Sequence, residues 1–159
     1  MYIRRGHKDY LNPSHTRNVR NTPITDYNCG GYALGTFSWY RPALKLMDWG
    51  DECVSLTPTE VEETYKHCIE TILTDFPTMR VIRKVKDLRA NEYAIAFRLG
   101  GIDGVDDFHF IKRARNGQWY HKRGALAPER ISKDKIFEPV WYNSGWLYRG
   151  KIILFAKEI

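Results

Sequence analysis

A chain of 159 residues with 43% hydrophobic and 14% aromatic content can bury a core and is not the composition of a disordered polymer. No apolar run approaches the roughly 20 residues that span a bilayer, and the formal charge of +6 suits polyanionic surroundings or solubility alone, because the basic residues are spread out. Three cysteines, Cys29, Cys53 and Cys68, with no CxxC between them, argue against a disulfide framework or zinc knuckle, so neither metal nor cofactor is expected.

The N-terminus, Met1 to Lys8, carries basic residues with no apolar segment behind them. It does not read as a signal peptide, and synthesis in the cytoplasm is expected, with any action on a cell wall following release or delivery. Residues 1–24 hold turn signals at Asn12-Pro13 and Asn21-Thr22-Pro23 without periodicity, which predicts an extended arm wrapped on a single domain covering 1–159.

Asp26 to Asn28 supply N-cap residue types, and Cys29, Tyr32, Ala33 and Phe37 fall on one helical face, predicting a helix from Cys29 to about Tyr40, before Pro42. Gly30, Gly31 and Gly35 each lower helix propensity by roughly 1 kcal/mol relative to Ala. Their use here implies close approach of another backbone or a substrate beside Cys29. Residues 42–56 read as a loop. Thr57, Pro58 and Glu60 form a capping box with proline at the first helical position, and Val61, Tyr65, Cys68, Ile69, Ile72 and Leu73 make one apolar stripe, ended by Asp75-Phe76-Pro77.

From Met79 the period becomes that of strands: Met79 to Val85, Glu92 to Arg98, Phe108 to Ala114, Gln118 to Lys122 and Ile152 to Lys157. Leu99 to Gly104 reads as a hairpin connection, and residues 124–150 are irregular around Trp141, Tyr142, Trp146 and Tyr148. Helices followed by antiparallel strands describe an α+β domain, with helices packed on a sheet of about five strands.

Among the cysteines, only Cys29 has a setting that would activate it. At a helix start the dipole and backbone N–H groups favour a thiolate, lowering the pKa from about 8.5. Cys53 follows Asp51 and Glu52, which oppose ionisation, and Cys68 lies in an apolar stripe. A buried structural cysteine is the alternative reading of Cys29. His109 lies between Phe108 and Phe110, which face the core, so the imidazole faces the other side with Ile111. A two-residue Asn116-Gly117 turn would put His109 and His121 on opposite faces. A three-residue loop, Arg115-Asn116-Gly117, with Gly117 left-handed in a G1 bulge, pairs Ala114 with Gln118 and Ile111 with His121, and brings the two rings together as diagonal neighbours. The chemistry predicted is that of a cysteine nucleophile with His109 as base and His121 as its orienter, the Cys29 amide serving the oxyanion. Asp107 is the rival orienter and Asn143 a further one. Asn28 and Tyr27 are also candidates for oxyanion or orienting roles, and Gly30, Gly31 and Trp119 for substrate binding. His7, His15 and His67 read as surface residues.

Asn28-Cys29-Gly30-Gly31, followed by a strand histidine and a second histidine on the next strand, resembles the NlpC/P60 branch of the papain-like cysteine peptidases. Asn28 stands where that family usually has Asp, and Gly30 where it usually has Ser. The order Cys then His matches its unpermuted members, and the resemblance covers about residues 26–123. It implies a papain-like α+β fold and hydrolysis of an amide, typically in bacterial cell-wall peptides, as in a phage endolysin. One alternative keeps the site but directs it at a protein, as a delivered or phage-encoded protease or deamidase. Another is a non-catalytic polyanion-binding module, in which Arg113, Arg115, Lys122 and Arg123 flank Trp119 and Tyr120.

Overall fold

The structure is a computed structural model, and residues 23–42, 57–101, 107–143 and 146–159 are described. The arm as far as residue 22, most of the 42–56 loop with Cys53, residues 102–106 and both His7 and His15 lie outside them. In chain order the elements are a 3₁₀ turn (Ile24–Asp26), α1 (Cys29–Leu34), α2 (Pro58–Asp75), β1 (Arg80–Ile82), a second 3₁₀ turn (Val85–Asp87), β2 (Glu92–Gly100), β3 (Asp107–Arg113), β4 (Trp119–His121), β5 (Glu129–Ile131), α3 (Lys133–Ile136), β6 (Trp141–Asn143), β7 (Trp146–Tyr148) and β8 (Ile153–Glu158). The domain is α+β. Six strands form one antiparallel sheet in the order β1-β8-β2-β3-β4-β5, and β6 and β7 form a separate hairpin.

The helix predicted to reach Tyr40 ends at Leu34, because Gly35 takes a left-handed φ of 72° and turns the chain back. The close approach that the glycines imply is made by this returning chain. A Cβ on Gly31 would lie 1.8 Å from the Ser38 carbonyl oxygen, and one on Gly30 would meet the Tyr40 carbonyl oxygen at 3.0 Å. α2 forms as its sequence requires. The Thr57 hydroxyl accepts from the Glu60 N–H at 3.3 Å, the Glu60 carboxylate accepts from the Thr57 N–H at 2.7 Å, and Tyr65, Cys68 and Ile72 are buried along its stripe.

Both faces of the sheet are covered. α1 and α2 pack on one, with Tyr65, Cys68, Ile95, Phe97, Phe108, Phe110 and Phe155 in the core between them. The other carries Ala94, Ala96, Ile111, Trp119 and Leu154 beneath Ile136, Trp141 and Tyr148. β2, at the centre, is therefore buried along its whole length. In the stretch read as irregular, β5 extends the main sheet while α3, β6 and β7 complete this second layer. Arg98 ties it down from β2: its guanidinium donates to the carbonyls of Gly150 (2.5 Å), Glu138 (2.7 Å) and Pro139 (2.6 Å) and lies 5.2 Å from the Trp141 ring centre.

Candidate active site

The β3–β4 hairpin adopts the bulged register. Ile111 pairs with His121, the Ala114 N–H donates to the Gln118 carbonyl at 2.8 Å, and Gly117 has a φ of 82°. Asn116 explains the loop locally, since its side-chain oxygen accepts from the Gln118 N–H at 2.9 Å. His109 and His121 consequently share a face, and His109 Nε2 lies 2.8 Å from His121 Nδ1. The second His121 nitrogen, Nε2, is 3.0 Å from Glu129 Oε1 on β5, and Arg123 Nε is 2.8 Å from that same oxygen. On the far side of His109, Asn143 Nδ2 stands 3.2 Å from Nδ1. His109 is 2% exposed and His121 is 6% exposed.

Cys29 opens α1 under Asn28, whose side-chain oxygen accepts from the Gly31 N–H at 3.0 Å. Only Ile111 to Arg113 of β3 pair with β4. The Cys29 end of α1 stands at the unpaired edge of β3, where the Phe110 N–H acts on the sulfur. The charge of Asp107 acts on the thiol, and the Tyr148 ring, whose hydroxyl donates to Asp107, has its centre 5.6 Å from that of His109. No hydrogen bond joins Cys29 to His109, whose two nitrogens meet His121 and Asn143.

The electrostatics correct the expectation of a low-pKa cysteine. Burial pushes the Cys29 thiol up to about 12 and Asp107 adds to this, while the Phe110 and Gly30 N–H groups and the Lys122 ammonium oppose it. A six-residue helix has only a small dipole, and removing the sulfur from water outweighs it. Burial likewise holds His109 well below its ordinary value, with His121 and Arg123 adding to the effect. His121 is also lowered by burial, against which Glu129 pulls upward. The resting chain thus holds a neutral Cys29 thiol in the core that faces α1 and α2, and two neutral imidazoles on the face covered by Trp141 and Tyr148.

Depressed histidines stabilise the fold above the unfolded value near 6.5, and that contribution is lost as pH falls toward the folded values, because the unfolded chain takes up protons first. The urea midpoint is expected to drop from pH 7 to pH 5, with a shallower drop in His109→Gln. An equal drop in that variant would contradict the assignment.

Several residues have other duties than those expected. Asp107 accepts from its neighbour's Phe108 N–H (2.8 Å) and the Tyr148 hydroxyl (2.7 Å), and does not bond His109, so it is not the orienter. Asn28 caps α1 and is held by Tyr40, donating one Nδ2–H to its carbonyl at 2.8 Å and accepting from its N–H at 3.0 Å, which fixes the side chain against the returning chain. Tyr27 is buried beneath the Lys122 ammonium, which lies 4.6 Å from its ring centre. Gly30 and Gly31 are closed over by the returning chain, and Trp119 is a core residue at 2% exposure, so none of the three presents a surface to a substrate.

Asn143, a further orienter in the sequence, is the residue that meets Nδ1 of His109. Glu129 escapes a sequence reading because it lies in a short strand with no hydrophobic alternation, and Lys122 reads there only as a cation flanking Trp119 and Tyr120. Lys122 is wholly buried, and its ammonium donates to the Tyr27 carbonyl at 2.5 Å and to the Gly124 carbonyl, tying the turn before Cys29 to the strand that carries His121. Among the described residues no cluster of side chains is arranged to hold a metal ion, and no helix is long and apolar enough to cross a membrane. Comparison with protein-family models, with curated proteins and with solved structures finds no match.

Proposed function

We propose that the chain is a cysteine amidohydrolase of the papain-like, NlpC/P60 type, acting on peptide amides of the bacterial cell wall. The observation that carries the reading is the 2.8 Å bond between His109 Nε2 and His121 Nδ1, made beside the edge of β3 where Cys29 stands. A base held by a second imidazole, with its other nitrogen directed away from that partner, is the arrangement nucleophilic catalysis requires.

His109 Nδ1 takes the thiol proton as the Cys29 sulfur bonds to the amide carbon. The carbonyl oxygen then carries the negative charge and is met by the Cys29 N–H. The C–N bond breaks as the imidazolium returns its proton to the leaving amine, leaving a thioester on Cys29. Water, deprotonated by His109, attacks the thioester, releasing the acid and the thiol. Because the resting thiol is neutral, proton transfer accompanies attack. Substrate entry requires Asn143 to give up Nδ1 of His109.

The test is digestion of purified peptidoglycan with mass analysis of the soluble products, together with intact-mass analysis of the protein quenched in acid. Stem-peptide fragments and a transient acyl adduct on Cys29 are expected. Fragments without any adduct, and with activity retained after alkylation of Cys29, would overturn the mechanism. Cleavage of proteins added in parallel, with peptidoglycan intact, would move the reading to a protein-directed protease.

A further inference from the structure

We infer that Glu129 is a positioning residue: it sets the direction of every hydrogen bond from the protein surface to the base, and so selects Nδ1 of His109 as the working nitrogen. The catalytic consequence rests on the hydrolase reading above; the hydrogen-bond direction does not.

Glu129 is paired with Arg123, whose Nε is 2.8 Å from Oε1, and a carboxylate in such a pair can only accept. His121 Nε2, 3.0 Å away, must therefore carry the hydrogen. In neutral His121 the other nitrogen, Nδ1, is then a lone pair, and the group 2.8 Å from it, His109 Nε2, must donate. In neutral His109 this leaves Nδ1 as the lone pair. The Asn143 amide NH₂ meets that nitrogen at 3.2 Å as a donor, at the cost of an Oδ1 buried without a partner; the direction is set by the Glu129–Arg123 pair, since the reverse would turn a His121 lone pair toward a carboxylate.

The roles divide accordingly. His121 is the immediate partner of the base, and Glu129, 44% exposed, polarises it from behind. A strand of the same sheet thus contributes a carboxylate to a Cys–His–His arrangement through its pairing of His121 with Glu129.

The test uses the full chain labelled with ¹⁵N-histidine, with tautomers read from long-range ¹H–¹⁵N correlations at pH 7.5, for wild type, Glu129→Gln and Glu129→Ala. Wild type is expected to show both His109 and His121 as the Nε2–H tautomer. In the variants His121 is expected to become a tautomer mixture, His109 to follow it, and release of peptidoglycan fragments to fall about tenfold or more. Because Glu129 is half exposed, folding is checked by the unchanged amide spectrum of α2. An Nδ1–H on wild-type His109, or unchanged tautomers in both variants, would overturn the inference. If the tautomers behave as stated but Cys29→Ala still releases fragments, the hydrogen-bond direction stands and the hydrolase reading falls.

Discussion

His109→Ala is expected to slow fragment release from peptidoglycan by about 10²–10⁴-fold, the range for loss of a general base, and Cys29→Ala is expected to reduce it to background. The reason lies in the resting ionisation. With its thiol pushed up to about 12, Cys29 holds almost no preformed thiolate at pH 7, so on the proposed reading attack depends on the base. His121→Ala should fall between wild type and His109→Ala, since the base survives but loses its orientation. Iodoacetamide gives the same conclusion without substrate: Cys29 should be modified slowly at pH 7, with the rate climbing only well above pH 9. Rapid modification below pH 7 would mean that the thiolate is preformed, and near-normal turnover in His109→Ala would remove the imidazole from the mechanism.

Lys122→Met should cost both stability and activity. The methionine matches the aliphatic part of the side chain but leaves the buried Tyr27 and Gly124 carbonyls without the ammonium that satisfies them. Each orphaned carbonyl costs ~1–3 kcal/mol, so a loss of roughly 2–5 kcal/mol is expected, lessened by no longer burying a charge. That charge is itself under pressure: burial lowers the Lys122 ammonium to about 8, with Cys29 pulling the other way. Urea unfolding gives the stability change, and fragment release from the folded fraction gives the catalytic one. Because Lys122 joins the Cys29 turn to the strand of His121, turnover should drop even where the variant is folded. A variant within about 0.5 kcal/mol of wild type and fully active would show that the clamp is dispensable.

The parts legible in the chain are those decided by neighbours in sequence. Thr57, Pro58 and Glu60 start a helix because capping is settled within one turn. Gly117 selects the bulged loop because only a left-handed residue closes it, and that register brings His109 onto the face of His121. The phenylalanines on either side of His109 face α1 and α2 by alternation alone. Where the same local reasoning failed, a distant segment intervened. The helix from Cys29 ends early because Gly31 must admit the backbone of Ser38. The face carrying His109 is closed by Trp141 and Tyr148, from a stretch without periodicity.

By itself the chain determined an α+β domain, the hairpin register and the meeting of two imidazoles, since turn chemistry and side-chain alternation act over a few residues. Tertiary structure alone decided that Cys29 is a buried neutral thiol, that Asn143 and not Asp107 faces His109, that Glu129 meets His121 and that Lys122 holds the turn before Cys29. Those outcomes depend on desolvation and on hydrogen bonds between segments that meet only when the sheet is covered on both faces, and no local pattern encodes them.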